Sequence, residues 1–207
     1  MKRKGPITAV ELHAQLENDL EFIARRNERE RALAEVAAQR SADEAPIVAE
    51  LRTAGFEIES VWDLVNRSAP YPTAIPILLK HLKLPYTDFT RDALARALAV
   101  PDARFAWPIF AAAYREAPTH LEDGKEAGAK DGLACALSAT VTEGVIDEMV
   151  ALAKDRSNGD SRLLLLRGLK KSKSAVAKQA LEELASDPAL SKEIASWRKR
   201  KPAVAKS

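Results

Sequence analysis

Along the first quarter of the chain apolar side chains return at helical intervals: Leu12, Leu16, Leu20 and Ile23 lie three or four residues apart and form one stripe. The spacing predicts a helix that starts near Thr8. RRNERER, residues 25–31, then interrupts the stripe, and apolar positions resume at Leu33, Val36 and Ala37. The middle of this helix is therefore expected to meet solvent on every side. Asp43 and Pro46 predict a fresh helix start, which Ile47, Val48 and Leu51 carry to a stop at Gly55. Ser60 is placed to cap a short helix, VWDLVNRS. The stretch SAPYP reads as a connector, because proline cannot continue a helix and holds its predecessor extended.

Beyond that connector, short helical patterns alternate with brief breaks. AIPILLKHL (74–82) precedes TRDALARALA (90–99), and WPIFAAAY (107–114) precedes DGLACALSAT (131–140) after an insertion. VIDEMVALAKD (145–155) leads into SRLLLLRGLKK (161–171), and AVAKQALEELASDP (175–188) into ALSKEIASWRKR (189–200). Pro76 and Pro108 occupy the same place in successive first helices. Each unit is thus an apolar helix, a turn that often holds Asp, and a second helix opening with a basic residue such as Arg91, Arg162 or Lys192. Self-similarity at such a period is the mark of stacked helical pairs, whose apolar faces are covered only by their neighbours. The LLLL run at 163–166 predicts a second helix deep in the stack.

On these residues the chain resembles the HEAT-like, armadillo-type family of α-helical repeats over roughly residues 70–200. The resemblance implies an all-α fold, a right-handed α-α superhelix. It also implies Asp and Arg ladders between successive units, in which Arg91 and Arg162 would take part. The chain departs from the family pattern in the lengthened segment 115–130, where Gly124 and Gly128 read as a flexible insertion, and in Thr90, Ser161 and Ser191 where valine is usual. The expected organisation is a helical arm or cap over 1–42, the repeat domain over 43–200, and a basic disordered tail over 201–207.

Composition sharpens this picture in three places. Glycine is scarce at 8 residues and aromatics make up 5%, which suits helices and starves sheets. The 32 basic and 30 acidic groups nearly cancel, but unevenly: net charge is −1 over residues 1–45, −5 over 46–153 and +8 over 154–207. The basic end, WRKRKPAVAKS, is a possible phosphate contact, while the acidic centre argues against a duplex-holding face. No run of about 18 uncharged apolar residues exists, so no membrane partner is expected and a cytoplasmic protein is the simplest reading.

Candidate chemistry is sparse. His13, His81 and His120 fall in no metal motif, the single cysteine, Cys135, lies among leucines and alanines, and phosphate-cradling loops are missing. No catalytic, cofactor or metal residue is assigned. Two groups stand as candidate binding residues: Trp62, Asp63, Asn66 and Tyr71 near the lip of the repeats, and Arg91, Asp92, Arg96, Lys130, Asp131, Arg162 and Arg167 on successive second helices. The leading expectation is a non-catalytic protein-protein interaction scaffold. A HEAT-like DNA glycosylase using Trp62, Asp63, Trp107 and Arg162, a nucleic-acid binder, and an immunity or antitoxin-like protein with an acidic groove for a basic partner are the alternatives.

Overall fold

The computed structural model describes Thr8, Ala9, Leu16 and residues 19–199. Leu12, His13 and the tail 201–207 lie outside the described residues. The chain divides into two compact units, Met1–Ala42 and Asp43–Ser207. Helices account for the regular structure, with no strand among the described residues beyond an isolated bridge between His120 and Glu126. No helix among the described residues is long and apolar enough to cross a membrane.

Helix α1 runs over Leu20–Thr53. From residue 24 to 42 every side chain is exposed, as the charged interruption predicts. Exposed i,i+4 pairs, Glu21 with Arg25 and Arg26 with Glu30, support this stretch where no packing does. The apolar stripe fares less well, since Leu20 is 81% exposed. The expected fresh start at Asp43 and Pro46 is also corrected, because α1 continues through Pro46. Proline lacks the N–H for the Ala42 carbonyl, but Ala42 is exposed, so water can take the vacant acceptor.

Within the second unit the end of α1 turns inward. Ile47 and Leu51 are fully buried, and the helix stops where Phe56 N–H bonds Leu51 O while Gly55, at φ +91°, N–H bonds Arg52 O. That paired closure uses glycine's freedom at positive φ. Helix α2 (Trp62–Val65) follows. The Ser60 hydroxyl accepts from Trp62 N–H at 3.2 Å and donates to Glu44 Oε2 at 2.7 Å, tying α2 back to α1.

The paired helices come next: α3 (Ile75–Leu82) with α4 (Asp88–Ala97), α5 (Trp107–Glu116) with α6 (Gly128–Thr140), α7 (Ile146–Lys154) with α8 (Arg162–Lys171), then α9 (Ala175–Leu184) and α10 (Ser191–Lys199). Pro76 and Pro108 sit in the first turns of α3 and α5, where the missing N–H costs nothing. Helix α4 starts earlier than its apolar pattern, because Thr87 Oγ1 caps it by accepting from Thr90 N–H. Gly128 lies not in a flexible insertion but at the first position of α6.

Second helices pack on one another in succession, α4 on α6 and α6 on α8, while α3, α5 and α7 pack on the second helix of their own pair. Trp107, Phe110, Tyr114, Leu94, Leu137 and Met149 fill the shared core. Close approach depends on two glycines in helix interiors. A Cβ at Gly132 would stand 2.8 Å from the Asp92 backbone oxygen, and one at Gly168 2.7 Å from Met149 Cε. The leucine run is only half submerged: Leu165 and Leu166 are fully buried, whereas Leu163 and Leu164 are half-buried, so α8 keeps one side open.

Candidate binding surface

Helical spacing decides which side chains share a face of the stacked second helices. Asp88, Asp92 and Arg96 follow at i,i+4 along α4, and Asp131 and Cys135 do so along α6. Because Gly132 lets α6 lie against Asp92, these two rows meet. Arg96 Nε donates to Asp92 Oδ1 at 2.7 Å, and its Nη1 reaches Cys135 Sγ at 3.7 Å, across the helix boundary. Arg167 of α8 is exposed and near enough to Cys135 to act on its thiol electrostatically.

Asp88 organises the entry to this row. Its Oδ2 accepts from Gly128 N–H at 2.8 Å and its Oδ1 from Ala129 N–H at 3.1 Å, so one second helix caps the N-terminus of the next. An earlier step is similar in kind, since Asp43 Oδ2 of α1 accepts from Thr87 N–H and Oγ1 at the start of α4. Hydrogen bonds to Thr87 and Thr90 overcome the burial that would raise the Asp43 carboxyl, and hold it below its ordinary value.

The carboxylates of the row behave differently. Burial pushes Asp92 up despite the opposing pull of Arg96, and Asp88 and Asp131 add to the rise. Burial likewise raises Asp131, with Arg96 opposing and Glu126, Asp160 and Asp88 reinforcing. Burial raises the Cys135 thiol too, against Arg96 and Arg167. A thiol held in this way is a weak nucleophile, because the thiolate is scarce at neutral pH. The row is therefore a half-buried acidic strip, bridged internally by Arg96 and flanked by Arg167. The Asp131 carboxylate has no hydrogen-bond partner among the described residues.

Other candidate residues are placed elsewhere. Tyr71 is 6% exposed, its hydroxyl donating to Ala97 O at 2.8 Å. Lys130 is 3% exposed, its ammonium donating to the Tyr114 and Ala117 carbonyls at 2.9 and 2.8 Å and lying 4.6 Å from the Tyr114 ring centroid. Arg162 is 4% exposed and bonded to Asp187 at 3.0 Å. These three are corrected from surface candidates to internal groups, because each is buried and bonded to protein partners away from solvent. Trp62 is half-buried against Phe89 at 5.8 Å. Asp63 is exposed and accepts from Glu59 and Ser60 N–H, and exposed Asn66 donates to Trp62 O. Asp92, Arg96, Asp131 and Arg167 come together on the row, and Arg91 stands apart from them in an apolar groove. Cys135 and Asp88 joined the row without having been singled out for binding. The i,i+4 offsets from Asp131 and Asp92 are the signal that places them there.

His81 is a buried structural histidine, held by Tyr86 Oη at 2.7 Å and Glu50 Oε2 at 2.9 Å. Among the described residues no cluster of His, Cys, Asp and Glu is arranged to hold a metal ion. No family model matches the chain, and no curated protein or solved structure shows significant similarity to it.

Proposed function

We propose that the protein is a non-catalytic protein-interaction scaffold, a right-handed HEAT-like superhelix that binds its partner along the second-helix row. The observation that carries this reading is the Asp92–Arg96–Asp131–Cys135 strip, in which carboxylates are half-buried, raised above their ordinary values by burial, and incompletely bonded. Such a strip is costly in the free protein, and a basic or amide-rich partner surface would relieve it by supplying donors. The acidic centre of the chain favours a basic partner, in keeping with the immunity or antitoxin variant of this reading. A glycosylase would need Trp62, Asp63, Trp107 and Arg162 in one open groove, whereas Trp107 is 2% and Arg162 4% exposed.

The test is affinity capture from an extract of the native cells, with and without nuclease, using wild type and the variant Asp92→Asn/Asp131→Asn. Retention of one protein by wild type in both lanes, lost in the variant, is the expected result. Retention that depends on nucleic acid and ignores the variant moves the function to the basic C-terminal segment.

A further inference from the structure

A separate opening lies between the turn that follows α3 and the outer side of α5. Leu82, Leu84 and Pro85 line one part, Pro108, Ile109 and Ala112 another, and together they bound an open groove of about 670 Å³. Leu84 is 43% exposed there, an apolar side chain left without cover. Arg91, near the start of α4, also lines the groove, as does Glu116.

Arg91 is anomalous in its bonding. Its Nε is shielded from solvent yet meets no acceptor, and no hydrogen bond or ion pair of its guanidinium is present among the described residues. A desolvated donor without an acceptor is expensive, and more so on a charged group. The neighbouring pairs show what is missing. Three basic residues near the start of second helices have an acidic residue 25 positions later: Arg162 with Asp187, Lys130 with Asp155, Arg91 with Glu116. Arg162 and Asp187 are bonded at 3.0 Å. Lys130 feels the field of Asp155 while bonding two carbonyls. In the Arg91–Glu116 pair the acid stays exposed at the groove edge, and the buried Arg91 Nε has neither a carboxylate nor a carbonyl to bond.

We propose that this groove docks a short amphipathic segment of a partner protein, which seats apolar side chains between Leu84 and Ile109 and places an Asp or Glu carboxylate on Arg91. Charge complementarity selects the acid, since the unsatisfied group is a guanidinium whose planar donors match a carboxylate. The groove's open side suits a peptide rather than an enclosed small molecule. The site is independent of the acidic strip, which attracts the opposite charge, so either can fail without the other.

The test uses the full chain and a short fluorescein-labelled peptide of leucine, alanine and glutamate, with a control peptide carrying lysine for glutamate, read by fluorescence anisotropy. Saturable, salt-weakened binding of the acidic peptide alone is expected. Arg91→Met should weaken it by about tenfold or more, the scale of one charge-assisted bond. Ala112→Trp, at an exposed position on the groove wall, should block it with the fold intact by circular dichroism. Ligand-free Arg91→Met should melt at or above the wild-type temperature, because an orphaned buried donor has been removed. The proposal is overturned if the acidic peptide does not saturate, if Ala112→Trp binds as wild type, or if Arg91→Met melts lower. It is equally overturned if Glu116→Gln lowers the melting temperature and abolishes selectivity for acid, which would show Glu116 closing on Arg91. Octanoate binding without peptide binding overturns the peptide as occupant.

Discussion

The Arg162 guanidinium donates to Asp187 Oδ2 at 3.0 Å and joins the first turn of α8 to the segment that follows α9. Arg162 also donates to Gly159 O at 3.0 Å, so a single buried cation gathers three segments. Its bond to Asp187, with Ala189 N–H behind it, holds that carboxyl below its ordinary value. Arg162→Met should destabilise the protein more than the double variant Arg162→Met/Asp187→Leu does, because removing one partner strands the other. Urea midpoints of the four proteins in this cycle measure the coupling. A carboxylate with a depressed native pKa contributes stability above its ordinary pKa and loses it as pH falls through the depressed value. The gap between wild type and Arg162→Met should therefore be widest at neutral pH and close in acid.

Asp131 is expected to show the opposite sign. Burial raises its native pKa, so its charge opposes folding above that value and the penalty fades as pH falls toward the ordinary carboxylate range. Asp131→Asn should raise the urea midpoint at pH 7 and lose its advantage on acidification. Equal midpoints at neutral pH would mean the strip is fully solvated.

Gly132→Ala should destabilise even though alanine is the better helix former. The new Cβ meets a backbone oxygen at 2.8 Å, and backbone cannot swing aside as a side chain can. A loss of about 1–3 kcal/mol is expected from overpacking, against a propensity gain of roughly 1 kcal/mol at most. Chemical denaturation of the variant checks the balance.

Leu165→Ala should cost about 2–5 kcal/mol, the range for a fully buried leucine, since Leu165 is 0% exposed. Leu164→Ala, at a half-buried position, should cost clearly less. Similar losses at both sites would mean that α8 is covered on its open side in solution.

Cys135 should react slowly with a disulfide reagent at neutral pH and quickly once the chain is unfolded. Burial raises the native thiol, and Arg96 and Arg167 only partly offset that rise. Reaction as fast in the native protein as in denaturant would place the thiol in open solvent.

The sequence by itself determined the helical class and most helix positions, because period and capping are local properties. The segments 90–99 and 131–140 declared second helices through their pattern alone, Pro76 and Pro108 marked equivalent places in successive first helices, and Gly55 declared a stop. The charged run 25–31 declared an exposed helix for the same reason. Tertiary structure alone decided the rest. Whether Lys130 or Arg162 faces water depends on which carbonyls and carboxylates fold over it, and those come from segments far along the chain. Helix α1 passed through Pro46 because its neighbourhood left the orphaned Ala42 carbonyl to solvent. Asp88, a turn residue in sequence, became the cap of α6 only when α4 and α6 lay side by side. Asp92, Arg96, Asp131 and Cys135 likewise became one strip through close helix approach at Gly132, since a row across two helices has no local period for a sequence to display.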